Sequence, residues 1–475
     1  MFHHHPLTRR RFRPILIVCA AMFGFAAHGR VEASSQSDRR AQQAVVIDGT
    51  LEASASYLRV HVQLSQGRHV LTGQPFNFDI LGFKDLGLKG LMDADQPQGS
   101  FLAFLDTGAS SHVISKMTAE RFGIEAVPGA VYHEVGLHDE KPMDVSRPYG
   151  LALSGSTGKL HDQPGTFHAI DGDVALQINR QLANNSLVTM ALGEINVIGM
   201  PAIRRLLVEI DPHPGLGQGG GGLQELQDLL DGDLLNGDLL DQLGDVVSGP
   251  AVYLHPPKDR PTNVDVRIPL VYVNFARHHN PRDHGPRPVL APNPTIKSIE
   301  TGDGERRFVG DWLLDTGAPV SMISTRHAIA LGLYDEDGQP RRQQDFSLPL
   351  GGVGGQVKSA AGFRIDFMRV PAAGGRMIEY RQAHVVVHDV STELDNGQTI
   401  TLDGIFGTNF LLSTVGGLGL VLGIPSNTSA GPFKHIWIDG PRRQLLLELA
   451  EHVGGRSKKL KVRDQKSVIS TVTFD

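Results

Sequence analysis

The chain has 475 residues, 45 Lys and Arg against 51 Asp and Glu, and a net charge of −6. That length allows two or three domains with ample core, and the charge balance has no global basic signature, which excludes nucleic-acid binding as the leading reading. Fifty-five glycines and 28 prolines beside 6% aromatic residues favour a loop-rich β protein over a helical bundle, and one cysteine leaves no disulfide framework.

In chain order, Arg9-Arg10-Arg11 and Arg13 form a basic stretch ahead of an apolar run from Ile15 to Ala27. Small residues at Ala27 and Ala33-Ser34 offer cleavage sites, so residues 1–33 read as an export signal. The apolar run is too short to span a bilayer comfortably. The expectation is an exported protein, periplasmic or extracellular, with no stable membrane span after processing. The adjacent arginines also fit a twin-arginine signal. Cys19 falls inside this leader.

From Ala44 the pattern changes to strands: Val45-Val46-Ile47, then Tyr57 to Val62, which alternates in the manner of a half-buried strand. A short stretch then occurs twice, as Phe104-Leu105-Asp106-Thr107-Gly108-Ala109 and as Leu313-Leu314-Asp315-Thr316-Gly317-Ala318. The two aspartates lie 209 positions apart, and nine of the nineteen residues from 105 to 123 are identical to their counterparts at that offset. Each copy is followed by a second apolar piece, Val113-Ile114-Ser115 or Met322-Ile323-Ser324. Short helical pieces come next, Lys116 to Phe122 and Arg326 to Leu331, each stopped by a glycine, Gly123 or Gly332. An internal repeat of this kind governs the whole reading.

Each half ends on a matching element. Val197-Ile198-Gly199-Met200 follows Asp106 at 93 residues to the glycine, and Ile405-Phe406-Gly407-Thr408 follows Asp315 at 92. Two Asp-Thr-Gly-Ala motifs, each with a hydrophobic-hydrophobic-Gly partner at matched spacing, resemble the bilobal aspartic proteases of the pepsin-like and retropepsin-like group. The resemblance implies an all-β fold of two similar lobes about a pseudo-twofold axis, with few short helices. It places an N-terminal lobe at 44–213 and a C-terminal lobe at 251–450, in a monomer that is an internal pseudo-dimer. It implies Asp106 and Asp315 as catalytic residues, with Thr107, Gly108, Thr316 and Gly317 supporting the two loops. Gly199 and Gly407 become structural glycines of the closing strands. No cofactor and no metal are expected.

The chemistry explains the duplication. Peptide hydrolysis needs water activated and a leaving amine protonated, and two carboxylates can share these tasks when one is ionised and the other protonated. Like charges a few ångströms apart cannot both ionise, which drives the two titrations apart, and each half supplies one carboxylate. Ala109 and Ala318 occupy positions where many relatives carry a hydroxyl. Losing those donors raises the titration of the pair, which implies an optimum at about pH 5–6 rather than near pH 2.

A flap over the cleft has two candidates. Tyr149-Gly150 lies 43 residues past Asp106, before Ser154-Gly155-Ser156-Thr157-Gly158; Gly351-Gly352-Val353-Gly354-Gly355 is its rival in the second half. Between the halves, residues 214–250 form a glycine-rich stretch followed by a period-five Asp/Leu tract, read as a solvated insertion or linker. His278-His279 and His284 sit in a Pro/Arg-rich loop with nothing to define a metal geometry. The second half is expected to run from a strand at Val264 to Phe275 to a closing hairpin, Trp437 to Gly440 with Leu445 to Leu449. Residues 451–475 form a basic, polar tail. The leading expectation is an exported endopeptidase that takes an extended peptide or unfolded protein. The alternative is a catalytically silent relative that binds or inhibits.

Overall fold

The structure is a computed structural model. It describes residues 44–47, 58–66, 99–135, 140–158, 164–180, 195–212, 250–274, 284–300, 304–352, 355–393, 399–412 and 431–450. The export signal, the 214–250 insertion apart from its last residue, the basic tail, Gly354 and His278-His279 lie outside these residues.

The first half contributes β1 (Ala44–Ile47), β2 (Arg59–Gln66), β3 (Ser100–Leu105), β4 (Val113–Ser115), β5 (Ala126–Val135), β6 (Glu140–Ser146), β7 (Tyr149–Ser154), β8 (His168–Val174), β9 (Gln177–Asn179), β10 (Val197–Ile198) and β11 (Leu207–Asp211). Nine of them form one sheet in the order β5-β6-β9-β4-β10-β3-β2-β7-β8. Apolar residues of β2 and β3 (Val60, Val62, Phe101, Leu105) enter the core, as alternation requires of strands with one face covered. All six residues of β7 are buried, because this strand is paired on both sides and packed within the core.

The second half contributes β12 (Ala251–His255), β13 (Val266–Val273), β14 (Arg287–Leu290), β15 (Thr295–Glu300), β16 (Gly304–Val309), β17 (Trp312–Leu314), β18 (Ser321–Ile323), β19 (Phe346–Gly352), β20 (Gly355–Pro371), β21 (Met377–Val387), β22 (Ser391–Glu393), β23 (Thr399–Thr401), β24 (Gly404–Phe406), β25 (Phe433–Asp439) and β26 (Gln444–Leu449). A 15-stranded sheet takes most of these strands, and β11 of the first half enters it between β12 and β25. The expected closing hairpin is β25–β26, with Asp439 opposite Gln444. β1 crosses to the second half and pairs in parallel with β21.

The two halves repeat the same construction. β10 pairs in parallel with β3 and antiparallel with β4; β24 does the same with β17 and β18. β9 runs parallel to β4 as β21 does to β18. The helices Lys116–Arg121 and Thr325–Ala330 follow β4 and β18. Ser115 caps the first by accepting the Thr118 N–H at 2.9 Å. Each helix is followed by a glycine with positive φ, Gly123 at 62° and Gly332 at 75°, a conformation that would strain a side-chain-bearing residue. One hydrophobic cluster runs through both halves, from Val60, Leu105 and Ile114 to Trp312, Phe363, Tyr380 and Phe406. Each fully buried large apolar side chain contributes about 1.5–3 kcal/mol. The chain is thus all-β, with two similar halves and few short helices, as the paired motifs implied. Among the described residues, no helix is long and apolar enough to cross a membrane.

Candidate active site

Each Asp-Thr-Gly loop leaves a short buried strand and is held by the closing strand beside it. The Asp106 N–H donates to the Ile198 carbonyl at 2.9 Å, and the Asp315 N–H to the Phe406 carbonyl at 3.0 Å. Beyond the closing strands, Met200 N–H donates to Ala109 O at 3.0 Å and Thr408 N–H to Ala318 O at 2.8 Å. Gly199 and Gly407 occupy the crossing points. A Cβ on Gly199 would run into the Ala109 and Ser111 carbonyls, and one on Gly407 would lie 2.8 Å from the Ala318 carbonyl oxygen. Both are glycine because backbone passes against backbone there.

The loops meet through reciprocal hydrogen bonds. Thr107 N–H donates to Thr316 Oγ1 at 3.0 Å, and Thr316 N–H to Thr107 Oγ1 at 3.0 Å. Each hydroxyl donates onward across the junction, Thr107 to Leu314 O and Thr316 to Leu105 O, both at 2.7 Å. Four bonds related by a twofold exchange of partners define the pseudo-symmetry axis. Both threonines are buried, so every one of these polar groups depends on its partner.

Asp106 and Asp315 face each other across this axis. Gly108 N–H donates to Asp106 Oδ1 at 2.7 Å; Asp315 Oδ1 accepts from Gly317 N–H at 2.9 Å and from Ala318 N–H at 3.1 Å. A Cβ on Gly108 would overlap the Asp315 carboxyl, and one on Gly317 would overlap that of Asp106. Burial pushes the Asp315 carboxyl well above the usual range, helped by the Asp106 charge and a hydrogen bond between the two side chains. The Gly317 N–H and the Arg287 guanidinium pull the other way. Two carboxyls this close can hold one proton between them.

The tyrosine flap expectation needs correction. Tyr149 and Gly150 open β7, past the hairpin rather than at its tip, and both are buried. The Tyr149 side chain belongs to the main core, and its hydroxyl accepts the Glu125 N–H at 3.1 Å. The 43-residue spacing misled because β5 and β6 form the hairpin earlier, with Val135 opposite Glu140. The second half carries the equivalent hairpin, β19–β20, with Gly352 opposite Gly355. Gly352 therefore does end a hairpin strand.

Three neighbours carried no sequence signal. His112 is buried behind the first loop, and its Nδ1 accepts the Gly199 N–H at 3.1 Å. Burial, with Arg205 nearby, lowers its pKa to about 3, so it is a neutral acceptor. In the second loop Ser321 Oγ takes that position, accepting the Gly407 N–H at 2.9 Å and donating to Asn409 Oδ1 at 2.8 Å. Arg287, on β14, is the third. Aligning the halves would reveal the His112/Ser321 exchange; nothing in the local sequence marks Arg287. His284 is also buried, its ring tilted against that of Tyr132 with centroids 4.3 Å apart.

No protein-family model matches the chain, and no curated protein is significantly similar to it. Solved structures that resemble it include one titled as that of edgp, at 9% identity and TM-score 0.34, covering 85% of this chain and 98% of the other. Basic 7S globulin from soybean is 9% identical with TM-score 0.31, covering 74% and 88%. An aspartic proteinase from Irpex lacteus is 9% identical with TM-score 0.35, covering 84% and 98%. At such values the functional reading rests on the chain's own geometry.

Proposed function

We propose that the protein is an exported aspartic endopeptidase that hydrolyses peptide bonds with water activated between Asp106 and Asp315. The observation that carries this reading is the pair of facing carboxyls, one from each half, each packed against the glycine of the opposite loop, with the two loops joined through reciprocal threonine bonds. One carboxylate takes a proton from water as the oxygen attacks the scissile carbonyl carbon. The other carboxyl gives its proton to the carbonyl oxygen, leaving a tetrahedral diol. Collapse of the diol transfers a proton to the amide nitrogen, breaks the C–N bond and restores the singly protonated pair.

The substrate is an extended peptide or unfolded protein segment that lies strand-like between the lobes, its alternate side chains entering pockets. The β19–β20 hairpin is the candidate flap. Ala109 and Ala318 bring no hydroxyl to the pair, which favours an optimum at about pH 5–6. The test is cleavage of unfolded casein across about pH 3–7 by mature protein. Hydrolysis blocked by a statine-type inhibitor and lost in Asp106→Asn supports the reading. Absence of cleavage at every pH overturns it in favour of a binding or inhibitory protein.

A further inference from the structure

β14 lies beside the catalytic strand β17, with Val289 opposite Leu313. Extending this antiparallel register by two residues puts Arg287 opposite Asp315, on the same face of the sheet. Arg287 is 6% exposed, and its charge acts on Asp315. A guanidinium so deeply enclosed is stabilised by negative charge nearby, and a singly ionised carboxyl pair supplies one such charge.

The segment carrying Arg287 is also anchored to the other lobe. The Gly285 N–H donates to the carbonyl of Ser110, next to the first catalytic loop, at 2.7 Å. His284 Nε2 lies 3.3 Å from Gln177 Nε2, and the His284 ring is tilted against that of Tyr132. A Cβ on Gly285 would come within 3 Å of Met200 and the Pro201 nitrogen. Arg287 therefore approaches the pair from a strut that both lobes hold.

We propose that Arg287 is a positioning residue of the candidate active site, a buried cation that the strut holds on the strand beside β17 and sets against the Asp315 carboxyl. The charges acting on Asp315 are those of Asp106, from the facing loop, and of Arg287, from β14. Behind the first loop His112 is held neutral by burial, and His284, three residues before Arg287 on the strut, is buried as well. The electrostatic role stands on the structure alone; its consequence for turnover rests on the protease reading.

The experiment compares wild type, Arg287→Met, Arg287→Gln and Arg287→Lys in the full chain. Carboxyl titration is followed by NMR on ¹³C-labelled aspartate, with Asp315→Asn supplying the assignment, and pH–rate profiles are recorded on unfolded casein. In Arg287→Met the titration of the pair and the acid limb of the profile should move up by about one pH unit, and Arg287→Lys should bring both back. Should the Met variant fail to fold, Arg287→Gln gives the same reading. A folded charge-removing variant that titrates like wild type, or a Lys variant that titrates like Met, overturns the proposal. If the titration shifts as expected while no variant or wild type cleaves casein, Arg287 keeps its role and the protease reading falls. If casein is cleaved with unmoved profiles, the reverse holds.

Discussion

The two Asp-Thr-Gly loops are the same device built twice, and they differ in a few surroundings. Asp, Thr, Gly, the closing-strand glycine and the cross-lobe hydrogen bonds are matched one for one. The differences are His112 against Ser321, the additional Ala318 N–H on Asp315, and Arg287 on one side of the pair. The matched parts are those that the proposed chemistry needs from both lobes. The unmatched parts give the two carboxyls different surroundings.

The most severe way to break the symmetry is to remove either carboxylate. Asp106→Asn and Asp315→Asn should each lower kcat at least about a thousandfold, because neither half can both activate water and protonate the amine. Peptide hydrolysis by refolded variants checks this, and equal losses would confirm that the lobes contribute equally. Next in size are Gly108→Ala and Gly317→Ala, whose methyl groups would overlap the opposing carboxyl. Each should cost about 3 kcal/mol by overpacking, read from denaturant midpoints, and abolish turnover.

Thr107→Val and Thr316→Val keep the shape and delete the hydroxyl, leaving a buried N–H and a buried carbonyl of the opposite lobe without that partner. Each should cost about 2–3 kcal/mol. The double variant should lose less than the sum of the two, since both act in one network; a double-mutant cycle measures this.

His112→Ser would give the first loop the side chain that the second already has. The His112 pKa is depressed from 6.5 to about 3, so the unfolded chain binds the proton more readily and acid destabilises the fold between those values. At pH 5 this cost is about 2 kcal/mol, and the serine variant should show a flatter slope of stability against pH.

The smallest effect concerns the sheet that joins the halves. Glu209 on β11 lies 2.7 Å from His255 Nε2 and 3.2 Å from His435 Nδ1. The His255 hydrogen bond and the nearby His435 lower the Glu209 pKa to about 2, and the closeness of Glu209 raises that of His435. The Glu209 contribution is complete above 4.5 and fades as pH falls towards 2; that of His435 is complete below 6.5 and fades as pH rises through its raised value. Glu209→Gln should therefore cost most between these limits. In this half-exposed setting the loss is about 1 kcal/mol, visible as a shift in thermal midpoint at pH 5.5 that shrinks at pH 8.

Much of the architecture could be read from the chain alone. The duplicated Asp-Thr-Gly-Ala stretch, the matched closing glycines, the glycine-stopped helices and the final hairpin are local patterns. They report strand, turn and cap chemistry directly, and the structure forms them where the pattern put them. Tyr149 shows the limit of spacing. Whether a tyrosine tops a hairpin or fills a core depends on where the preceding strands turn, and β5 and β6 turn earlier. Arg287 shows a further limit. It stands 28 residues before Asp315, in a proline-rich stretch with no motif, and only the pairing of β14 with β17 brings its strand beside that loop. The sequence determined which groups are present and how each segment folds locally. Which charges face each other was decided by strand pairing between distant segments, because electrostatic influence follows distance through space, not separation along the chain.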